Sequence, residues 1–232
     1  IAIIPARGGS KRIPRKNIKP FCGKPMLAYP LAAARESGLF SRILVSTDDR
    51  EIADAAREYG GEAPFVRPAE LSDDRTGTSA VIAHALEWLG GRGERPDLVC
   101  CIYATTPFLR PFYLRQGCAA IAEGGASSSI AVAEYPHPIE RAWRPDTEGF
   151  LRLLQPDQLQ AGSQDLPPAF YEAGQFYWAA VPAFLERRSF LTAKTAPVLL
   201  PRCLVQDIDS EEDWRRAELM YAALEQSGWP DD

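Results

Sequence analysis

The chain has 232 residues, 46% of them apolar and 25% charged, and its 26 Lys and Arg against 31 Asp and Glu give a net charge of −5. This is the composition of a soluble globular protein. The length suits one α/β domain with an excursion, or two small domains. No apolar run approaches the roughly 20 residues that span a bilayer, and an acidic chain without aromatics interleaved among its cations is not expected to bind nucleic acid.

Short apolar runs alternate with longer segments of helical period, which predicts βαβ units and a mostly parallel sheet. Ile1–Ile4 reads as the first strand. A helix follows over 25–35, with Pro30 tolerable only near its first turn. The spacing predicts a strand over 42–46 and a helix over 49–59, capped by Asp49 and stopped by Gly60-Gly61. An amphipathic helix is predicted over 79–89 and a strand over 98–103, ended by Thr105-Thr106-Pro107. A helix over 112–122 and a strand over 128–133 come next.

Residues 136–170 change character and hold six prolines (Pro136, Pro138, Pro145, Pro156, Pro167 and Pro168). So long a structureless stretch is unusual inside a compact domain, so an arm ordered by a partner subunit is expected. The nucleotide-binding domain is then 1–135 with 171–227. Strands are predicted over 174–180 and 197–205, and a last helix over 210–225. Ser210 and Asp213 give that helix a capping box.

The five cysteines (Cys22, Cys100, Cys101, Cys118, Cys203) have no zinc spacing, and no secretory signal is visible. The chain is read as reduced and cytoplasmic, its thiols structural. His84 is read as a helix residue of structural role, and His137, between prolines, as carrying nothing that chemistry demands.

The first constellation lies just past strand one. Residues 1–35 hold Arg7, Lys11, Arg12, Arg15, Lys16, Lys19, Lys24 and Arg35 with no Asp or Glu, a local excess of +8. Such a field attracts a polyanion. In Ala6-Arg7-Gly8-Gly9-Ser10-Lys11, glycines let backbone amides approach one small, multiply charged anion such as a nucleoside triphosphate. The pattern is neither G-x-G-x-x-G nor a Walker P-loop, which disfavours a dinucleotide-dependent oxidoreductase.

The second constellation is Gln206-Asp207-Ile208-Asp209. Alternate residues of an extended segment share a side, so Asp207 and Asp209 can present two carboxylates to a hard cation such as magnesium. Capping of the last helix explains an Asp here equally well. A suspected polyphosphate site favours the metal. Ser46-Thr47-Asp48-Asp49 follows a strand's C-terminal end, where ligands of open α/β sheets bind, and Asp48 is the residue there expected to face the site. No Ser-His-Asp set can be assembled.

These residues resemble the cytidylyltransferases that activate nine-carbon acidic sugars, the CMP-sialic acid synthetase family. The resemblance covers IPARGGSKRIPRKNI (4–18), STDD (46–49), FVRPAELSDD (65–74), TTPF (105–108) and QDIDSEEDW (206–214). SQDLP (163–167) followed by AGQFYW (173–178) is similar to the branch that handles pseudaminic acid. The resemblance implies a Rossmann-like fold with an inserted dimerisation arm, CTP and an acidic nine-carbon sugar as partners, Mg2+ as cofactor and a homodimer.

Residue by residue, the resemblance implies that Arg7 and Lys16 bind the triphosphate, with Gly8, Gly9, Ser10 and Lys11 around them. Asn17 and Arg67 match nucleotide-contacting positions, Thr78 or Ser79 lies near the cytosine or ribose, and Asp207 and Asp209 match magnesium ligands. Sialic acid members carry Gln where this chain has Tyr103, and arginines near Ser163 and Tyr171. Their absence favours a stereochemically different sugar, held by Tyr103, Thr105, Gln164, Asp165, Glu172 and Gln175. The implied reaction is in-line attack of the sugar's anomeric hydroxyl on the α-phosphorus of CTP. CMP-N-acetylneuraminate synthetase, CMP-legionaminate synthetase and a non-catalytic nucleotide-binding module are the alternatives.

Overall fold

The computed structural model describes residues 1–158 and 162–228. The chain opens with β1 (Ala2–Pro5), a small hairpin of β2 (Pro20–Phe21) and β3 (Lys24–Pro25), and α1 (Ala28–Ser37). It continues through β4 (Ile43–Ser46), α2 (Arg50–Glu58), α3 (Thr78–Gly90), β5 (Leu98–Ile102), α4 (Pro111–Ala122) and β6 (Ser128–Glu134). A second hairpin, β7 (Trp143–Pro145) and β8 (Leu151–Leu153), precedes β9 (Phe170–Ala180), α5 (Val181–Arg187), β10 (Thr195–Leu199) and α6 (Glu211–Ser227).

Six strands make one sheet in the order β10-β6-β9-β5-β1-β4. Strand β1 lies parallel to β4 and β5, β6 parallel to β10, and β9 antiparallel between β5 and β6. The sheet is therefore the mostly parallel one expected. Period-2 alternation sends Ala2 and Ile4 to the core shared with α1, α4 and α6, and Ile3 to the core shared with α3 and α5. Both faces are covered, which is why the strands read as unbroken apolar runs.

Phe21 ties the N-terminal segment to the last helix. Its fully buried ring packs edge-on to Tyr29, Trp214 and Tyr221 at centroid distances of 5.4, 5.5 and 5.6 Å. Truncating such a ring costs about 3–5 kcal/mol. The contact fixes residues 15–25 against the start of α6, directly after Asp209.

Several predicted boundaries shift. The strand predicted over 197–205 runs Thr195–Leu199 and gives way to a 3-10 turn at Arg202–Leu204. Pro197 is admissible because β10 is an edge strand, and Pro201 ends the pairing. Strand β9 begins at Phe170 rather than residue 174, passing a bulge where the register against β6 slips and Gly174 takes φ +62°. Helix α5 and both hairpins were not predicted. Pro30 falls in the first turn of α1, Asp49 caps α2 through Ile52 N at 3.0 Å, and Ser210 with Asp213 forms the expected capping box. Among the described residues, no helix is long and apolar enough to cross a membrane.

Candidate active site

The C-terminal ends of β4, β1 and β5 lie side by side, so the segments that follow them share one edge of the sheet. A cleft of about 530 Å³ opens there. The loop after β1 supplies Arg7, Ser10, Lys11, Lys16 and Asn17 to its wall. The segment before α3 supplies Arg67, Asp73, Asp74 and Thr76, α3 itself supplies Thr78, the end of β5 supplies Tyr103 and Thr105, and Asp209 joins the wall beside Lys16. Asn17 sets the loop's path: it is buried, its Nδ2 donates to the Arg7 carbonyl at 2.9 Å, and its own carbonyl accepts from Leu27 N.

Arg15 sits at φ +57°, in the left-handed region that costs a non-glycine residue about 1–2 kcal/mol. The turn sends consecutive cations in opposite directions. Arg15 turns out to the Asp49 carboxylate and to Glu51 at 2.8 Å. Lys16 turns inward to Asp209 at 3.6 Å, its side chain only 15% exposed. Burial pulls the Lys16 pKa down, opposed by the nearby Asp209 and Asp207 carboxylates.

The cations of the first 35 residues do not remain an uncompensated excess. Arg7 and Lys11 share Asp74 at 2.6 and 2.5 Å, and Arg12 reaches Asp209 at 2.5 Å. Asp48 Oδ1 accepts the Gly8 amide at 3.0 Å and lies 3.5 Å from Arg67 Nη2. Arg67 is only 4% exposed, and its Nε donates to Ser72 Oγ at 3.1 Å. Burial lowers the Arg67 pKa, with Asp48 working against that shift; a guanidinium stays charged regardless.

The remaining named positions divide. Ala6 is buried at the loop's start, where its amide continues the sheet by donating to Ser46 O at 2.9 Å. Gly9 is exposed, with nothing within 4 Å of where a Cβ would stand. Thr78 Oγ1 and Tyr103 Oη are 3.5 Å apart. The Tyr103 ring leans on Tyr177, whose hydroxyl donates to Glu172.

Ser79 is half-buried on α3 and does not line the cleft; Gln164 and Asp165 are exposed in a 3-10 turn away from it. Gln175 is buried and its Nε2 donates to the Leu204 carbonyl at 2.5 Å, while its own carbonyl holds Tyr103 N at 2.9 Å. Its position braces the end of β5 from behind. Asp207 is exposed and does not line the cleft; buried Ile208 separates it from Asp209 along the chain. Among the described residues, no group of three or more His, Cys, Asp or Glu is gathered for a metal ion; Asp207 and Asp209 are a pair.

Sequence reasoning assigned no role to Arg12, Asp74 or Tyr177. Asp74 lay within the quoted FVRPAELSDD stretch, but its partners are in the first dozen residues and no local pattern points to them.

A family model described as cytidylyltransferase matches residues 1–216. A pseudaminic acid cytidylyltransferase of Campylobacter jejuni is 39% identical over 99% of this chain and 99% of its own. A CMP-N,N'-diacetyllegionaminic acid synthase of Legionella pneumophila is 32% identical over 94% of each chain. Among solved structures, a CMP:2-keto-3-deoxy-manno-octonic acid synthetase complexed with CTP superposes with a TM-score of 0.67 at 15% identity, covering 96% of this chain and 98% of its own. That likeness speaks for the fold.

Proposed function

The chain belongs to the cytidylyltransferase family, and from that premise we propose that it transfers CMP from CTP to the anomeric hydroxyl of a nine-carbon acidic sugar, pseudaminic acid, releasing pyrophosphate. The observation that carries this reading is the convergence of Arg7, Lys11 and Lys16 on one cleft that Asp209 also lines, next to Lys16. Cations would gather the triphosphate there, with the Asp209 carboxylate assigned to the α-phosphate.

Arg7, Lys11 and Lys16 take the β- and γ-phosphates and neutralise the charge that grows as pyrophosphate leaves. Catalysis of this kind is mostly positioning and charge stabilisation, and it needs no protein nucleophile. Arg67 and Asn17 flank the nucleotide, with Thr78 at the ribose side. Tyr103 and Thr105, held by the braced end of β5, face the sugar, and Glu172 stands behind them through Tyr177. No residue in the cleft is assigned as general base.

Asp207 and Asp209 would hold Mg2+. The donor set fits: both carboxylates lie close enough to act on Lys16, and hard oxygen donors with phosphate and water completing the shell are what this ion takes. Bound there, it would neutralise charge at the α-phosphate. For Asp209 to serve, Arg12 and Lys16 must pass to the nucleotide, which the triphosphate's charge would drive.

The 136–170 arm, with Trp143, Phe150 and Leu151 exposed on and beside its β7–β8 hairpin, would cover that face against a second copy; the mass in solution tests the dimer. Five free thiols and dependence on CTP fit a cytoplasmic setting.

The test is pyrophosphate release from CTP and magnesium, with pseudaminic acid and N-acetylneuraminate in parallel. Release with pseudaminic acid alone is expected. Release with N-acetylneuraminate alone would keep the reaction and overturn the sugar. Binding of CTP with no turnover of any acidic nine-carbon sugar, legionaminic acid included, would leave a nucleotide-binding module.

A further inference from the structure

Two cations on the rim of the cleft already hold an anion, and it belongs to the chain. One Asp74 oxygen lies 2.6 Å from Arg7 Nη1 and the other 2.5 Å from Lys11 Nζ. The same Arg7 nitrogen donates to the Asp73 carbonyl at 2.9 Å. A carboxylate that bridges two cations with its two oxygens fills the place a phosphate group would take between them.

The segment that delivers Asp74 is built. Asp73 Oδ1 accepts from Arg75 N at 3.0 Å and Thr76 N at 2.7 Å, and Thr76 Oγ1 donates to the Glu70 carbonyl at 3.1 Å. Ser72 Oγ donates to the Pro68 carbonyl, and the Arg67 amide to the Thr47 carbonyl. These bonds shape residues 67–76 into a closed turn with a buried foot and Asp74 near its tip. The tip is wet: the side chains of Asp74, Arg7 and Lys11 are 43%, 36% and 80% exposed. An ion pair in so much water is screened and readily exchanged. A ligand with more negative charge can take the cations from it.

We propose that Asp74 is an internal competitor for the triphosphate. It holds Arg7 and Lys11 in the empty cleft, yields them to CTP, and takes them back as pyrophosphate leaves. This rests on the CTP-dependent reading above and adds a specificity role to it. Every phosphate ligand must displace Asp74. Pyrophosphate, which has no base or ribose with which to hold on, meets the larger relative penalty. The carboxylate thereby speeds product release and turns away weakly charged anions.

The experiment is calorimetric binding of CTP, inorganic pyrophosphate and cytidine to the wild type, Asp74→Asn and Asp74→Ala. Pyrophosphate is expected to bind both variants about three- to tenfold more tightly, a range that the two exposed ion pairs of Asp74 together can account for. CTP should gain no more than that, cytidine should not change, and the gain should shrink at high salt. Pyrophosphate should also become the stronger product inhibitor. Equal or weaker pyrophosphate binding in both variants would overturn the proposal, because Asp74 would then be preorganising the cations. A matching gain for cytidine would also overturn it, since the effect would not lie at the phosphates. A wild type that binds pyrophosphate but not CTP would sink the cytidylyltransferase reading while the pyrophosphate comparison still decided Asp74.

Discussion

The Gly8 amide donates to Asp48 Oδ1 at 3.0 Å, and that same oxygen stands 3.5 Å from the buried guanidinium of Arg67. One carboxylate from the end of β4 thus sets both the glycine loop after β1 and the cation at the foot of the 67–76 turn. Asp48→Ala leaves Arg67 buried without its carboxylate. A loss of about 1–3 kcal/mol of stability is expected, the cost of stranding a buried polar partner, together with a raised KM for CTP. Asp48→Asn retains an oxygen for Gly8 and loses the charge for Arg67, so it should fall between the two. Thermal melts and CTP titrations decide; wild-type behaviour from both variants would show that this pairing organises nothing.

Neighbouring glycines should respond differently to alanine. A Cβ on Gly8 would stand 2.7 Å from Asp49 Oδ2 and 3.0 Å from Asp49 Cβ. Asp49 cannot swing away cheaply, because it caps α2 and pairs with Arg15. Gly8→Ala should therefore cost about 1–3 kcal/mol, as overpacking does. Gly9→Ala meets no atom and should melt with the wild type. If the Gly9 amide faces phosphate, its variant raises KM for CTP all the same. A Gly9→Ala enzyme with unchanged KM would remove that residue from the anion site.

Lys16 carries a pH signature. Burial lowers its pKa from the ordinary lysine value, so between the folded and unfolded values the folded chain binds fewer protons. Stability then rises with pH through that window, and the charged ammonium is a cost in the empty protein at neutral pH. Lys16→Met should leave the melting temperature of the ligand-free protein unchanged or higher while weakening CTP binding. In the wild type, CTP affinity should decline toward alkaline pH sooner than an ordinary lysine would dictate. Lys16→Arg should abolish that decline, since a guanidinium does not titrate there. An identical alkaline limb in wild type and Lys16→Arg would assign it elsewhere.

Much of this was readable from sequence, for identifiable reasons. Strands β1, β4 and β5 are buried on both faces, so each appears as an apolar run, and local chemistry marks Asp49 and Ser210 as caps. Helix α5 was hidden because its seven residues follow β9 directly and carry Pro182, which is harmless in a first turn but reads as a breaker. The glycine loop was legible as a cation-rich turn at the C-terminal edge of the sheet. Its counter-ions were not, because Gly8 and Asp48 are 40 residues apart and Arg12 and Asp209 are 197. Charge counted along a chain shows a bare cationic patch; only the fold shows Arg7, Lys11, Arg12, Arg15, Lys16 and Lys19 each holding a carboxylate.

Asp209 is where the metal and ion-pair readings part. It lies 2.5 Å from Arg12 and 3.6 Å from Lys16, and it immediately precedes the cap of α6. In the metal reading it would act on the α-phosphate as one of the magnesium pair. Asp209→Asn should then lower kcat by about 10²- to 10³-fold, the scale for losing one charge stabiliser at a reacting centre. With one acid gone, Arg12 and Lys16 are freer to meet phosphate, so CTP binding measured without magnesium should hold or tighten. Asp207→Asn, altering an exposed carboxylate that makes no ion pair among the described residues, should lower kcat on the same scale with little effect on melting. If Asp209 serves only to neutralise Arg12 and Lys16, its variant loses stability and keeps its turnover, and Asp207→Asn does nothing. Magnesium titrations of kcat for the two variants, set beside their melting curves, separate these outcomes.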